Sequence, residues 1–183
     1  MNKTVAIVGK AQKTRGFAPY DDLSVDMWGY QDFVFKHMLR VTGMFEMHPD
    51  CLTTDRYTQA YQDWLRQPHD FPIWMHEPIA EIPASVKYPR DEVNSMLMHN
   101  VWKGEKKVEN YYTSSTPYAI ALSIWMGYKR IEIYGVELST ADGYTEERDC
   151  VFFWIGKASA LGVYIVVHAG SGLLDNKLYP FVL

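Results

Sequence analysis

Short apolar runs alternate with longer amphipathic segments along this chain. The first run, Thr4–Val8 (TVAIV), is β-branched and has no polar interruption, which is typical of a strand buried on both faces of a parallel sheet. Further runs of this kind predict strands at 25–29, 44–47, 71–75, 131–134 and 163–167. Helical patterns lie at 53–67, 91–98, 118–126 and 146–161. This order predicts an α/β fold, a Rossmann-like doubly wound and mostly parallel sheet of about six strands with helices on both faces.

The segment 77–107 is the least regular part of the sequence. It contains three prolines and a charged turn at 103–107, and its only regular pattern is a short helical stretch. We interpret the segment as an irregular flap on one Rossmann-like domain that spans residues 1–183, since a chain of 183 residues has the length of a single domain.

The composition is that of a folded protein rich in aromatic residues. Hydrophobic residues make up 48% of the chain and aromatic residues 15%, which is far from the composition of disordered chains. The 18 Lys and Arg residues are outnumbered by 22 Asp and Glu residues and are spread along the chain, so we expect no extended nucleic-acid interface. The abundance of aromatic residues makes a homodimer plausible.

The remaining composition bears on compartment and metal content. Cys51 and Cys150 lie far apart and form no CxxC pair, which argues against a disulfide framework and a structural zinc site. The histidines lack the HExxH spacing that places two metal ligands on one helix face, so we expect no metal. No apolar run approaches about 20 residues, so we expect no membrane partner and a cytoplasmic location.

Ligands of an open parallel sheet bind beyond the carboxyl ends of its strands, and several polar or glycine positions of this sequence fall there. They are Gly9 and Lys10 after the first strand, Tyr30 and Gln31 after the second, His48 and Asp50 after the third, Gly135 to Glu137 after the fifth, and His168 to Ser171 after the last. His48 is a candidate general base because of this position, and Glu137 is a candidate catalytic acid residue.

Four hydroxyl residues, 113–116 (TSST), precede a predicted helix. The free backbone N–H groups and the dipole of a helix start favour an anion, so Ser114 and Ser115 could hold a phosphate. The alternative is that one of these residues is an ordinary N-cap. Lys10 likewise either neutralises a phosphate or is a solvated lysine.

The helix predicted at 146–161 begins with two acidic residues and Arg148. A positive charge near a helix N-terminus opposes the dipole, so Arg148 should have a negative partner: Glu137, a neighbouring acid or a bound anion. Tyr144, just before this helix, is a candidate to stack on a base or sugar ring.

The segment 112–138 (YTSSTPYAIALSIWMGYKRIEIYGVEL) resembles two related Rossmann-like groups. They are the 6-hydroxymethylpterin diphosphokinase MptE-like group and the bacterial sialyltransferases of family 42. In both, a Ser-Ser or Thr-Ser step opens a helix, a Gly-Tyr or Gly-Ala step closes it, and a strand ends in Gly-Val/Ile-Asp.

The chain outside 77–107 resembles more closely a set of uncharacterised phage proteins. The steps that carry this resemblance are Trp28-Gly29 with Gln31, Phe45-Glu46 with His48, Ser114-Ser115, Gly135-Val136-Glu137, Tyr144 with Glu147-Arg148, Ile155-Gly156 with Ala158, and Ser171 with Leu173-Leu174.

The resemblance implies a nucleotide or phosphate pocket, although the sequence departs from the named enzymes at several points. Gly9-Lys10 stands in place of their Gly-x-Gly-Pro-Ser loop, Gln31 in place of an Asn and Glu137 in place of an Asp, and no counterpart of the sialyltransferase catalytic histidine is found. One hypothesis is therefore a glycosyl or pyrophosphoryl transferase that binds a nucleotide or a nucleotide-activated molecule. The alternative is a non-catalytic phage protein, in the host cytoplasm, that binds or sequesters a nucleotide-derived signal. The sequence names no cofactor.

Overall fold

A computed structural model of the protein describes residues 3–175. Its strands are β1 (Thr4–Val8), β2 (Val25–Tyr30), β3 (Gly43–Phe45), β4 (Ile73–Met75), β5 (Ser85–Lys87), β6 (Trp102–Lys103), β7 (Lys106–Lys107), β8 (Arg130–Tyr134) and β9 (Tyr164–Val167). Seven of them form one sheet in the order β5-β4-β3-β2-β1-β8-β9, with every neighbouring pair parallel. The short strands β6 and β7 form a separate antiparallel hairpin.

The helices connect these strands. They are α1 (Gln12–Arg15), α2 (Gln31–His37), α3 (Gln59–Leu65), α4 (Arg90–Leu97), α5 (Ser115–Trp125) and α6 (Thr145–Ala160), with a 3-10 turn at Thr140–Asp142. In the part of the chain from residue 3 to residue 175, no helix is both long enough and apolar enough to cross a membrane.

The two faces of the sheet are covered by different helices, as the period of two along a strand requires. Val5 and Ile7 of β1 belong to the large apolar cluster that includes buried residues of α4, α5 and α6. Ala6 and Val8, on the other face, pack in a cluster with Phe33 of α2. The predicted α/β class with helices on both faces of a parallel sheet is therefore confirmed.

Segment 77–107 is more regular than an irregular flap. It supplies β5, which pairs with β4 at the edge of the main sheet, the helix α4 and the hairpin of β6 and β7. Ile82, Tyr88 and Val93 are buried, so the segment contributes to the core. The interpretation as an irregular flap is therefore wrong. The sequence pattern did not reveal β5 because this strand is only three residues long and mostly exposed, which leaves almost no apolar signal.

Two helices differ from their sequence patterns. The helix predicted at 53–67 begins only at Gln59, where the side chain of Thr58 accepts a hydrogen bond from the backbone N–H of Tyr61. The helix α2 begins directly after β2, and its first residue, Gln31, has a φ of +51°. Sequence patterns do not reveal such a junction because the left-handed region is uncommon for residues other than glycine.

The order of the strands reverses between β1 and β8. From β1 the chain builds the sheet in one direction as far as β5, and it then returns to place β8 and β9 on the other side of β1. The connections leave β1 and β8 in opposite directions, which opens a crevice at their carboxyl ends. There, the N–H of Gly9 donates to the carbonyl of Tyr134 (2.8 Å), and the N–H of Ala11 donates to that of Gly135 (2.9 Å).

Candidate functional site

A cavity of about 560 Å³ lies at this reversal of strand order. It brings together most of the residues that the sequence placed in a site. Its walls are formed by Gly9, Lys10, Ala11, Tyr30, Gln31, Ser114, Ser115, Thr116, Gly135, Val136, Glu137, Leu138, Ser139, Asp142 and Tyr144.

Three residues that line this cavity each have a buried polar atom with no hydrogen-bond partner among the described residues. These atoms are the hydroxyl of Tyr30, Oγ of Ser114 and Oε1 of Glu137. A buried polar group without a partner costs about 1–3 kcal/mol, and most such groups in native proteins are satisfied by protein, water or ligand. Their convergence on one cavity is the strongest indication of a binding site in this molecule.

Tyr30 is the most deeply buried of the three, with 6% of its surface exposed. Burial raises the pKa of Tyr30, and the neighbouring side chain of Thr116, whose contact with the hydroxyl lies outside hydrogen-bond geometry, lowers the pKa only in part. The hydroxyl therefore stays protonated and can donate a hydrogen bond to a ligand.

Ser114 occupies the N-cap position of α5 without acting as a side-chain cap. Its backbone is extended (φ −157°, ψ 176°), and its hydroxyl accepts no hydrogen bond from the helix. An ordinary N-cap would use this oxygen to satisfy a free N–H group of the first turn. The hydroxyl and the free N–H groups at the start of an 11-residue helix are thus available together, which is the arrangement that binds anions.

Glu137 follows β8 in a tight loop and supplies an acceptor instead. Its Oε2 accepts the backbone N–H of Gly172 (2.9 Å), which fixes the side chain, while Oε1 has no partner among the described residues. Gly135 and Leu138 have φ values of +62° and +47°, so the loop on both sides of Glu137 passes through the left-handed region. A fixed carboxylate oxygen of this kind suits a ligand that donates hydroxyl or N–H groups.

Lys10 brings a positive charge to the cavity. Its Nζ donates to Oε1 of Gln31 (3.1 Å) and lies 3.3 Å from a carboxylate oxygen of Asp32, which also pairs with Lys36 at 2.6 Å. The Lys10 side chain is 57% exposed, so this pairing leaves it free to move toward an anion.

Arg148 lies behind the wall of the cavity rather than in it. Its guanidinium donates to the backbone carbonyls of Glu137 (3.4 Å), Leu138 (3.3 Å) and Gly172 (3.2 Å). These carbonyl oxygens compensate the positive charge, and no carboxylate of residues 3–175 forms an ion pair with Arg148. Arg148 holds the loop after β8 against the segment after β9.

Ser171 has a similar position. Only 4% of its surface is exposed, and its hydroxyl donates to the carbonyl of Val136 (2.7 Å) and accepts the N–H of Leu173 (3.1 Å). It joins the same two loops and does not line the cavity described above.

His48 lies in a neighbouring depression of about 330 Å³, which shares Gln31, Ser114 and Ser115 with the cavity. Its Nδ1 is 2.8 Å from Oε1 of Glu46, a carboxylate that is fully buried. The sequence placed Tyr30 among the candidates at a strand end and Glu46 only among the steps of the resemblance, without a chemical role for either. A polar group within or directly after an apolar strand indicates the end of that strand as readily as it indicates a functional residue. Within residues 3–175, no group of three or more His, Cys, Asp or Glu side chains is arranged to hold a metal ion.

Comparisons with known proteins find likeness at the level of structure. No family model matches the sequence, and a search of curated proteins finds no match. The sialyltransferase CstII from Campylobacter jejuni, in complex with the substrate analogue CMP-3FNeuAc, is similar over 90% of this chain and 79% of its own, with 14% identity and a TM-score of 0.53. The sialyltransferase CST-II in complex with a trisaccharide acceptor and CMP covers 96% of this chain and 89% of its own (12% identity, TM-score 0.55). An α-2,3-sialyltransferase from Campylobacter jejuni in apo form covers 96% and 77% (16% identity, TM-score 0.51). At these identities the likeness shows that this chain has the fold of these enzymes.

Proposed function

We propose that this protein binds a nucleotide or a nucleotide sugar in the cavity at the reversal of strand order and acts as a glycosyltransferase-like enzyme. The observation that carries the proposal is the convergence of three unpartnered buried groups, those of Tyr30, Ser114 and Glu137, on that cavity. Two are hydroxyls near a helix N-terminus and one is a carboxylate oxygen. A ligand that satisfies all three carries both an anion and hydrogen-bond donors, as a nucleotide does.

The phosphate of the ligand would lie at the start of α5. There the Ser114 hydroxyl, the N–H groups of the first helical turn and the Tyr30 hydroxyl can donate, and Lys10 adds a positive charge. The hydroxyl groups of the sugar would donate to Oε1 of Glu137, and Tyr144, which is 47% exposed at the cavity, offers a ring for stacking.

The fold supports a transferase over other nucleotide-binding classes. The three solved structures compared above are sialyltransferases, and two of these three are described as complexes with CMP or a CMP-containing analogue. Positioning and charge stabilisation supply most of the rate in glycosyl transfer and in pyrophosphoryl transfer, the reaction that the resemblance to the MptE-like group implies. The base, the sugar and the acceptor are left to experiment.

A second function, binding of a nucleotide-derived signal without turnover, is favoured by one observation. The carboxylate of Asp32 lies 3.3 Å from Nζ of Lys10, so its negative charge offsets part of the positive charge that a leaving phosphate would meet even when Lys10 moves toward it. Incubation with a panel of nucleotide sugars separates the two functions, because release of free nucleotide, measured by chromatography, requires turnover.

Calorimetric titration with nucleotides and with the matching nucleosides tests binding itself. We expect the nucleotides to bind more tightly, since the start of α5 contributes only when a phosphate is present. Equal affinities for nucleotide and nucleoside, or no binding of either, would contradict the proposed site.

A further inference from the structure

The carboxylate of Glu46 is the most deeply buried ionisable acid near the cavity, with no exposed surface. It directly follows β3, and its backbone N–H donates to the carbonyl of Trp74 (3.0 Å), so the sheet itself holds it in place. A buried carboxylate is costly unless it is paired and hydrogen-bonded. Hydrogen bonds to Glu46 and the nearby ring of His48 offset this cost.

Four donors surround the two oxygens of Glu46. Oε2 accepts the hydroxyl of Tyr61 (2.7 Å), and Oε1 lies near the backbone N–H of His48 (3.2 Å), the hydroxyl of Tyr57 (3.4 Å) and Nδ1 of His48 (2.8 Å). Among the described residues, His48 is the only side chain that forms an ion pair with Glu46. Burial and the Glu46 charge raise the pKa values of Tyr57 and Tyr61, so both phenols remain neutral donors.

Three polar atoms lie within hydrogen-bond distance of Nδ1. Oε1 of Glu46 is the nearest (2.8 Å), the hydroxyl of Tyr57 lies at 3.1 Å and Nε2 of Gln31 at 3.3 Å, so the carboxylate has the strongest influence on where the ring proton lies. An ionised carboxylate only accepts hydrogen bonds, so Nδ1 carries the proton and donates it to Oε1. In the neutral ring, Nε2 then has the free electron pair. A histidine held in this way by a buried carboxylate is prepared to take a proton, because the carboxylate stabilises the imidazolium that forms.

The surroundings of His48 indicate what donates that proton. The depression is lined by Gln31, Met47, His48, His76, Tyr112, Thr113, Ser114, Ser115 and Tyr118. These described residues include no Asp, Glu, Lys or Arg. Desolvation by burial, with smaller effects of Arg90 and His48, lowers the pKa of His76, although Glu77 opposes this. A neutral, hydroxyl-bearing molecule fits such a wall better than a charged one.

We propose that this depression is the subsite for the hydroxyl group of a second substrate, and that His48, positioned by Glu46, takes the proton from that hydroxyl. The proposal rests on the proposed function, since the depression shares Gln31, Ser114 and Ser115 with the nucleotide cavity. The two substrates would thus meet at the shared wall. His48 is the catalytic residue here, and Glu46 is a positioning residue.

The step balances without any further reactant. The oxygen of the acceptor forms a bond to the sugar carbon of the donor, while the bond from that carbon to the phosphate oxygen breaks and its electron pair leaves with the nucleotide. The acceptor proton moves to Nε2 of His48 and then to solvent. Water can take the place of the acceptor, which turns transfer into hydrolysis.

Nitrogen-15 NMR of the histidine rings tests the positioning of His48 without any ligand. We expect the neutral ring of His48 to carry its proton on Nδ1 in the native protein, and Glu46→Gln to leave the protein folded. The matched control is Glu132→Gln, since Glu132 is a partly buried carboxylate bonded to Arg130 and Tyr134 away from this depression. A native ring with the proton on Nε2 would overturn the proposal, because Nε2 could not then accept a proton.

Release of nucleotide from nucleotide sugars, with water as acceptor, tests the chemical role. The panel includes the CMP-linked sialic acid of the structural neighbours. We expect His48→Gln to lower the rate about 100-fold or more, within the usual range for a general base, and to leave nucleotide affinity within about threefold. Glu46→Gln should lower the rate as well, and the ring of His48 should lose its preference for a proton on Nδ1. His69→Gln is the control, because the His69 ring contacts the carbonyl of Trp64 outside the depression.

The outcomes separate this proposal from the proposed function. A native protein that binds nucleotides but releases none from any sugar of the panel, or variants that release nucleotide at the native rate, would overturn the role of His48 and leave nucleotide binding intact. A native protein that binds no nucleotide would contradict the proposed function, and the tautomer of His48 would then decide the positioning by Glu46 on its own. If Glu46→Gln fails to fold, Tyr57→Phe, which removes one neighbour of the same carboxylate oxygen, replaces it in both experiments.

Discussion

Gly9 and Gly135 lie against each other where β1 and β8 end. A Cβ atom on either residue would overlap the backbone carbonyl oxygen of the other, so both positions need glycine for close approach. The hydroxyl of Thr14 accepts the N–H of Gly135 (2.7 Å), which holds the contact in place. This contact brings the two strand ends of the cavity together.

Replacement of Gly135 by Ala should therefore destabilise the protein more than a left-handed backbone alone explains. Gly143 is the matched control, since its φ is +85° and no atom lies within 4 Å of an added Cβ. We expect Gly143→Ala to cost about 1–2 kcal/mol for the backbone, and Gly135→Ala to cost about 1–3 kcal/mol more for overpacking. Urea unfolding measures both values. Equal losses would show that the strand ends can move apart freely.

Much of this site could be predicted from the sequence because it depends on where strands end. Gly9, Lys10, Gln31, Ser114, Gly135 and Glu137 each follow a strand or precede a helix that has a clear apolar pattern. The orientation of side chains could not be predicted in the same way. A charge near a helix start indicates a partner for Arg148, but backbone carbonyls that only the folded loops bring together leave no trace in the sequence.

The edge of the fold was harder to predict than its centre. The strand β5 has three residues, two of them exposed, and carries almost no apolar pattern, whereas β1 is buried along nearly its whole length. The buried carboxylate of Glu46 was also hidden, since an acidic residue after a strand usually faces water. Only the packing of Tyr57 and Tyr61 around it makes the position interior.

Ser114→Ala should separate ligand binding from helix capping. Because the Ser114 hydroxyl is buried and unpartnered, we expect its removal to leave the free energy of unfolding unchanged or slightly raised, and to weaken nucleotide binding by about 1.5–3 kcal/mol. Nucleoside binding should not change. Thr58→Ala is the control, because Thr58 does cap α3 and its loss should cost about 1 kcal/mol of stability with no effect on binding. A stability loss in Ser114→Ala as large as that in Thr58→Ala would assign the hydroxyl to the helix.

Glu137→Gln should affect nucleotide and nucleoside alike. The amide can still accept the N–H of Gly172, so we expect stability to stay within about 1 kcal/mol of the native value. If Oε1 accepts sugar hydroxyls, both ligands should lose about 1.5–3 kcal/mol of binding free energy, which calorimetry resolves. Asp142→Asn, at an exposed acid of the same cavity, should change binding much less. Unchanged affinity in Glu137→Gln would remove this residue from the site.

Asp32 should make stability depend on acid pH. Desolvation raises the pKa of the Asp32 carboxyl, but hydrogen bonds and charge from Lys36 and Lys10 outweigh it, so the pKa lies below its usual value. The unfolded chain therefore binds the proton more readily, and the contribution is present above about pH 4 and lost as pH falls through the folded pKa. Because both lysines are largely exposed, we expect less than about 1 kcal/mol. The difference in unfolding free energy between native protein and Asp32→Asn should be larger at pH 6 than at pH 3, and a difference independent of pH would contradict the ion pairs.

Arg148→Ala tests whether this residue belongs to the scaffold or to the ligand. Its guanidinium bonds three backbone carbonyls, and one of them belongs to Leu138, whose φ of +47° is unfavourable for a leucine. Loss of these bonds should lower the stability of the ligand-free protein by about 1.5–3 kcal/mol, and each kcal/mol shifts the melting temperature by about 2–4 °C in a protein of this size. Arg66→Ala, which removes only an exposed pair with Asp63, should change the melting temperature little.

Nucleotide affinity gives the second half of the Arg148 test. Since the structure places the guanidinium behind the loop, Arg148→Ala should bind nucleotides within a few-fold of the native protein once the measurement is made well below its melting temperature. A variant with native melting temperature and strongly weakened nucleotide binding would instead show that Arg148 leaves the carbonyls of Glu137, Leu138 and Gly172 when a phosphate is present. The loop after β8 would then rearrange on binding, and the contact between Arg148 and the segment after β9 would belong to the ligand-free state alone.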